Sequence, residues 1–287
     1  MENYFLENKL GSTTDYEDPN YNCYALTYEC YLGYESAITQ SQNTMGLFNC
    51  PPAEEEQNKA IETSLQAIEA GEEFAFYNLS LSSQDLEILD SIEIVKWGNV
   101  VLNSESFNYT LPEEIKNAIL SMDGILLKDQ QANYLSNLFT RIISIILGQV
   151  ASKNFKIHIR TQRINEYNQP CLFWHLDKSY EAVLGEEDLV EEKRFIMPFK
   201  GSGTNYQIIN ETTRDKFIEL AEEHPRYYGH SSESCNGEDK ISKLLSSSKV
   251  YKPEIRFGSV HTASRNGAMH AAPNDSNNRL LLLIHTY

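Results

Sequence analysis

In the run CLFWHLDKSY, residues 171–180, His175 and Asp177 stand two apart among Leu172, Phe173, Trp174 and Leu176. Residues i and i+2 of an extended chain project to one side, so the imidazole and the carboxylate would share a face. With one further histidine, such a pair makes the two-His-one-carboxylate set that holds a non-haem Fe(II) and leaves the opposite positions open. Taken alone, the pair also fits a plainer reading, a solvent-facing pair or a hydrogen-bonded strand end. The choice depends on a third ligand downstream. Two histidines compete for that place: His261 in SVHTASR and His270 in the Gly-bounded turn NGAMHAAP.

The C-terminal stretch FGSVHTASRNGAMHAAPNDSNNRLLLLIHTY places Pro273 and Asn274 after His270, then Arg279 at the start of the last apolar run. This resembles the end of the Fe(II)/2-oxoglutarate-dependent dioxygenases. There the distal histidine is followed by a turn, and an Arg or Lys on the next strand binds the distal carboxylate of 2-oxoglutarate. The resemblance implies His175, Asp177 and His270 as metal ligands and catalytic centre. It implies Arg279 as co-substrate anchor, puts His261 second as a ligand because it lies in a β-like run before the turn, and brings Fe(II), 2-oxoglutarate and O2 as cofactors. A planar guanidinium suits the anchor because it gives two parallel hydrogen bonds to a carboxylate. Many members carry Ser or Thr two residues after that arginine. Here Leu281 stands there, so a hydroxyl must come from elsewhere, with Thr204 and Tyr206 as candidates.

A narrower likeness is carried by C-x-F-x-H-x-D and by Arg194 leading RFIMPFKGSGTNY. It is similar to a bacterial family of unassigned function with an H-x-D, an Arg-Leu-Leu strand and a G-P-G-T turn, and it spans residues 90–287. The turn here reads Gly201-Ser202-Gly203-Thr204. The implied chemistry is oxidative decarboxylation of 2-oxoglutarate coupled to hydroxylation or oxidative demethylation of a substrate, which the protein orients while excluding water. The alternative from another class is a non-catalytic, cupin-like metal- or ligand-binding protein. Oxygen- and 2-oxoglutarate-dependent succinate formation separates the two.

Candidates for the substrate pocket are His158 and Arg160, on one face of KIHIRTQR by alternation, Trp174 and Tyr180 flanking the H-x-D, and Arg194 on a neighbouring strand. His224, His230 and His285 carry no motif. Specificity is expected from loops and insertions, namely residues 1–55, 178–193 and 212–250.

The elements that must position these residues divide the chain. Residues 1–55 form an irregular acidic leader rich in Tyr and Asn. Residues 56–152 form a mainly helical support region. One helix is predicted over Glu54–Ala70 with Gly71 at its C-cap, a second after Ser82, and a third from Leu111 with Pro112 in its first turn. A fourth covers DQQANYLSNLFTRIISIILGQV, and a strand covers EIVKWGNVVLN. After Ser152 come short apolar or alternating runs, FKIHIRTQRI, CLFWHLDKSY, KRFIMPFKGSG, YQIIN, EIRFGSVHTAS and NRLLLLIHTY. These predict a β-sandwich or barrel over 153–287, with an insertion at 212–250 that is helical at TRDKFIELAEEH. Combined with the resemblance, the fold class is α+β: a double-stranded β-helix, cupin- or jelly-roll-like, with N-terminal helices packed on one sheet.

The 287 residues are 41% hydrophobic, enough for a sizeable core. With 41 acidic against 24 basic residues the net charge is -17, which opposes attraction to nucleic acid or an anionic membrane surface. The partner expected is a small-molecule or protein substrate. The five cysteines include no C-x-x-C, the N-terminal stretch has no secretory pattern, and no run is long enough to span a membrane. These features lead to the expectation of a cytoplasmic chain, with secretion by a non-classical bacterial route as the alternative.

Overall fold

The computed structural model describes residues 52–104, 110–150, 154–163, 174–177, 192–223, 240–241, 243–263, 267–273 and 278–287. Residues 1–51 of the expected leader, all five cysteines, Tyr180, His224 and His230 lie outside them, and the leader's last four residues, expected to be irregular, instead open the first helix.

Four helices precede the main strands: α1 (Pro52–Glu69), α2 (Ser83–Ser91), α3 (Leu111–Ser121) and α4 (Asp129–Gln149). Their starts follow local chemistry. Ser82 caps α2 in a reciprocal box, accepting from the Asp85 amide while Asp85 Oδ2 accepts from the Ser82 amide at 2.7 Å. Asp85 Oδ1 also accepts from the Tyr134 hydroxyl of α4 at 2.8 Å, so the cap ties two helices together. Beyond α1, Gly71 takes φ +100, the left-handed conformation that lets a helix end.

A six-stranded antiparallel sheet runs in the order β1-β9-β6-β11-β5-β3, from β1 (Phe74–Asn78), β9 (Phe257–Ala263), β6 (Glu192–Lys200), β11 (Arg279–Thr286), β5 (Phe155–Gln162) and β3 (Gly98–Asn103). Its outer face packs on the helices. Ile157, Ile159, Phe195, Met197, Phe199, Val260, Leu280, Leu282 and Ile284 join Ile115, Leu135, Phe139, Ile142, Ile143 and Ile146 in one core. The helical region also supplies both edge strands, since β1 pairs with β9 and β3 with β5. β1 was not expected as a strand. Five residues, FAFYN, give too short a run for a period to declare itself, and tertiary pairing decides.

A second sheet, β10-β7-β8, contains only short strands: β7 (Asn205–Gln207), β8 (Val250–Tyr251) and β10 (Met269–Ala271). A bridge between His175 and His270 adds the 174–177 segment beside β10. The outer side of this sheet carries Trp174, Leu176, Met269 and Ala271. They pack with Ile209, with Phe217 and Ile218 of α5 (Glu211–Glu223), and with Ile241 and Leu245. The two sheets meet through Tyr206, whose hydroxyl bonds Ser259 Oγ of β9 at 2.9 Å and whose ring stacks on Phe74 of β1 at 4.5 Å. A remaining short pair, β2 (Glu93–Ile94) with β4 (Ile125–Leu126), lies beside α3 in sequence. No helix among the described residues is long and apolar enough to cross a membrane.

Candidate metal centre

Alternation divides the HLD segment as expected for extended chain: Trp174 and Leu176 enter the second core, and His175 and Asp177 face the large sheet. The bridge to β10 then places His270 beside them. His175 N–H donates to His270 O at 2.9 Å, and His270 N–H donates to His175 O at 3.0 Å. This closely paired register puts the two imidazoles 4.1 Å apart, centroid to centroid. A buried Arg214 from α5 steadies the turn into β10, donating to Gly267 O at 2.6 Å and pairing with Glu73 at 3.0 Å.

Among the described residues, one group of titratable side chains is arranged to hold a metal ion: His175, Asp177 and His270, with ligand atoms all within 4.8 Å of one another. His175 Nε2 lies 3.8 Å from Asp177 Oδ1, and His270 Nε2 lies 3.4 Å from Asp177 Oδ2. His270 Nδ1–H donates to Ala268 O at 3.0 Å, which fixes the tautomer and leaves the Nε2 lone pair facing the cluster. Burial, reinforced by His175 and His261, holds the His270 pKa well below its ordinary value, so the ring is neutral as a ligand must be. Burial alone would raise Asp177. The His261 hydrogen bond and the Arg194 guanidinium oppose it and hold the carboxylate well below the usual range, so it is ionised. Two imidazoles and a carboxylate in this arrangement fit a first-row divalent metal. The His270 side chain is 4% exposed and the Asp177 side chain 13%, but that of His175 is 45% exposed, so the cluster opens on the His175 side.

His261 belongs to the same constellation in a different way. It is fully buried, with Nε2 3.0 Å from Asp177 Oδ2 and Nδ1 3.0 Å from the Tyr206 hydroxyl. Two lone pairs at 3.0 Å repel, so Nε2 carries the proton and donates it to Asp177. In this arrangement His261 has no Nε2 lone pair to give a metal.

The other expected site residues fall as follows. Arg194 of β6 reaches Asp177 Oδ1 with Nη1 at 2.5 Å and Glu192 Oε1 with Nε at 3.0 Å. Arg279 opens β11 on the sheet face that also carries Arg160 and His158, by register with Gln162, Arg160 and His158 of β5. It is 4% exposed, donating from Nε to Ser202 O at 2.9 Å and from Nη1 to Gln162 Oε1 at 3.2 Å. Gly201, at φ +77, makes that approach, since a Cβ there would lie 2.8 Å from Arg279 Cγ. Thr204 is buried two residues before Tyr206. Tyr206 is fully buried, engaged with Ser259 and His261, and stacked on His270 at 5.7 Å. Arg160 is half-buried, with Nε on Asn99 Oδ1 at 3.0 Å and Nη2 3.5 Å from His158 Nδ1. Trp174, expected at a substrate mouth, is instead packed in the second core. Alternation that turns His175 inward necessarily turns Trp174 away.

Sequence reading gave His285 and Glu192 no part, yet they adjoin the centre. His285 Nδ1 is 3.4 Å from Glu192 Oε1, and the His285 ring stacks on His158 at 4.8 Å. The signal available was alternation, which puts His285 on the same face as Arg279, Leu281 and Leu283.

No family model matches the chain, and no curated protein matches it. Similar solved structures include three of the Kdo hydroxylase KdoO, a non-heme Fe(II) alphaketoglutarate-dependent dioxygenase. The complex with cobalt(II) is 12% identical at a TM-score of 0.41, over 83% of this chain and 88% of that one. The complex with alphaketoglutarate and Fe(III) is 13% identical at 0.40, over 81% and 83%. The complex with succinate and Fe(III) is 13% identical at 0.40, over 83% and 87%.

Proposed function

We propose that this chain is an Fe(II)- and 2-oxoglutarate-dependent oxygenase that hydroxylates or oxidatively demethylates its substrate, on a core of double-stranded β-helix type. The observation that carries this reading is the His175–Asp177–His270 cluster, with its neutral His270 and ionised Asp177, at the meeting of two antiparallel sheets. Iron, 2-oxoglutarate and O2, when bound, supply oxidative decarboxylation to succinate and CO2 with oxygen insertion at a C–H bond.

The chain's own residues do the rest. His175 Nε2, His270 Nε2 and one Asp177 oxygen hold the metal, and the exposed His175 side is where co-substrate and substrate enter. Leu281, Leu283 and Ile196 form an apolar patch on the site-facing side of the large sheet that excludes water. Arg279, on that same face, takes the distal carboxylate of 2-oxoglutarate, with Thr204 as hydroxyl partner, since the Tyr206 hydroxyl is engaged by Ser259 and His261. Arg160 and His158 line the neighbouring floor. The substrate is a small molecule or protein encountered in the cytoplasm, consistent with a net charge of -17 that repels polyanions.

The test is anaerobic loading with Fe(II) and 2-oxoglutarate followed by exposure to O2. Succinate should form above the iron-free control, and His270→Ala should abolish it. Stoichiometric metal binding without any succinate would favour the non-catalytic, cupin-like alternative.

A further inference from the structure

A carboxylate at the end of an extended segment is free to turn about its Cβ–Cγ bond unless something holds both oxygens. At Asp177 something does. Oδ1 accepts from Arg194 Nη1 at 2.5 Å, and Oδ2 accepts from His261 Nε2 at 3.0 Å. Each donor is itself fixed from behind. Arg194 Nε is held by Glu192 at 3.0 Å, and Glu192 lies 3.4 Å from His285. His261 Nδ1 is held by the Tyr206 hydroxyl at 3.0 Å, which bonds Ser259 at 2.9 Å. The arrangement is part of the sheet. His285 lies opposite Arg194, and Arg194 opposite His261, in one transverse row across β11, β6 and β9.

We infer that Arg194 and His261 are positioning residues for Asp177, presenting its carboxylate to a metal in one orientation and through a single oxygen. The inference rests on the proposed reading of His175, Asp177 and His270 as metal ligands. His261 acts as a donor because its Nε2 proton is committed to Asp177. Arg194 acts by orientation as well as by charge, because Glu192 holds its Nε while Nη1 reaches Asp177. Freed from either donor, Asp177 can rotate and offer both oxygens, which changes the coordination number as well as the affinity. Partners of this kind are typically worth 10–100-fold in metal affinity.

The experiment uses the full chain, titrated with Mn(II) by calorimetry under argon and loaded with Co(II) for visible absorption. Arg194→Met and His261→Leu should each weaken Mn(II) binding about 10–100-fold and alter the Co(II) bands. Arg194→Lys and His261→Gln, which keep a donor to Asp177, should recover much of the loss and restore wild-type bands. Wild-type affinity and bands in both truncating variants would overturn the inference. So would equal losses in all four variants with unaltered bands, the mark of a merely structural role. Failure of the underlying metal reading looks different: wild type would not bind Mn(II), or His175→Ala would bind it as wild type does.

Discussion

The two faces of the large sheet obey different rules. The outer face is dry and aliphatic, with Ile157, Phe195, Met197, Leu280, Leu282 and Ile284 each at most 1% exposed against α3 and α4. The inner face carries His158, Arg160, Arg194, His261, Arg279 and His285, with the small apolar cluster Ile196, Leu281 and Leu283, and with Phe74 and Phe76 of the edge strand packed on Tyr206. Stability is concentrated on the first face and chemistry on the second. Central strand β11 serves both, which is why LLLLI reads as an unbroken apolar run and not as an alternation.

Truncating neighbours that face opposite ways should have very different costs. Leu282→Ala should cost about 2–5 kcal/mol in urea unfolding, because a fully buried leucine leaves a cavity its helix-backed neighbours cannot fill. Leu283→Ala should cost distinctly less, since only Ile196 and Leu281 share its cluster. Equal losses would mean the inner face is also a stability core.

On the inner face, Arg279→Ala should keep Mn(II) binding and lose about 2–5 kcal/mol of 2-oxoglutarate affinity, the usual cost of truncating one half of a buried charged pair. Arg279→Lys should fall between, as it keeps the charge and loses the fork. Equal 2-oxoglutarate affinity in all three proteins, by calorimetry on the Mn(II) form, would make Arg279 a strand residue that only buttresses Ser202 and Gln162.

A last effect, spread over several pH units, separates the faces by pH. Burial, with the nearby His285, Arg160, Lys156 and Arg194, lowers the His158 pKa to about 3 from an ordinary 6.5. The unfolded chain therefore takes up a proton at His158 that the folded chain refuses. The contribution is intact above pH 6.5 and is lost as pH falls from there towards 3. The urea midpoint should decline over that window, and His158→Phe should make the decline shallower. An unchanged slope would place His158 in contact with water.

The outer face was legible in the sequence, and the inner one only in part. Helices α1 to α4 declared themselves through caps and 3.6-residue periodicity at Ser82, Pro112 and the Leu135–Phe139–Ile142–Ile146 stripe. These are local signals that tertiary contacts reinforce. The HLD alternation predicted correctly that His175 and Asp177 share a face. The small sheet was harder, because strands of two or three residues such as Val250–Tyr251 have no period, and their pairing is set by partners far along the chain. For the same reason the tie between His261 and Asp177 was hidden. It depends on a row of cross-strand neighbours, Arg194 opposite His261, that no spacing within either strand encodes.

The most direct measurement of the central claim is metal stoichiometry in the anaerobic protein, by calorimetry with Mn(II) and by iron content after Fe(II) loading. Wild type should bind one ion per chain, His175→Ala/Asp177→Ala and His270→Ala should bind none, and His261→Gln should keep a weakened but intact site. Loss of metal in His261→Gln alongside full retention in His270→Ala would contradict that claim.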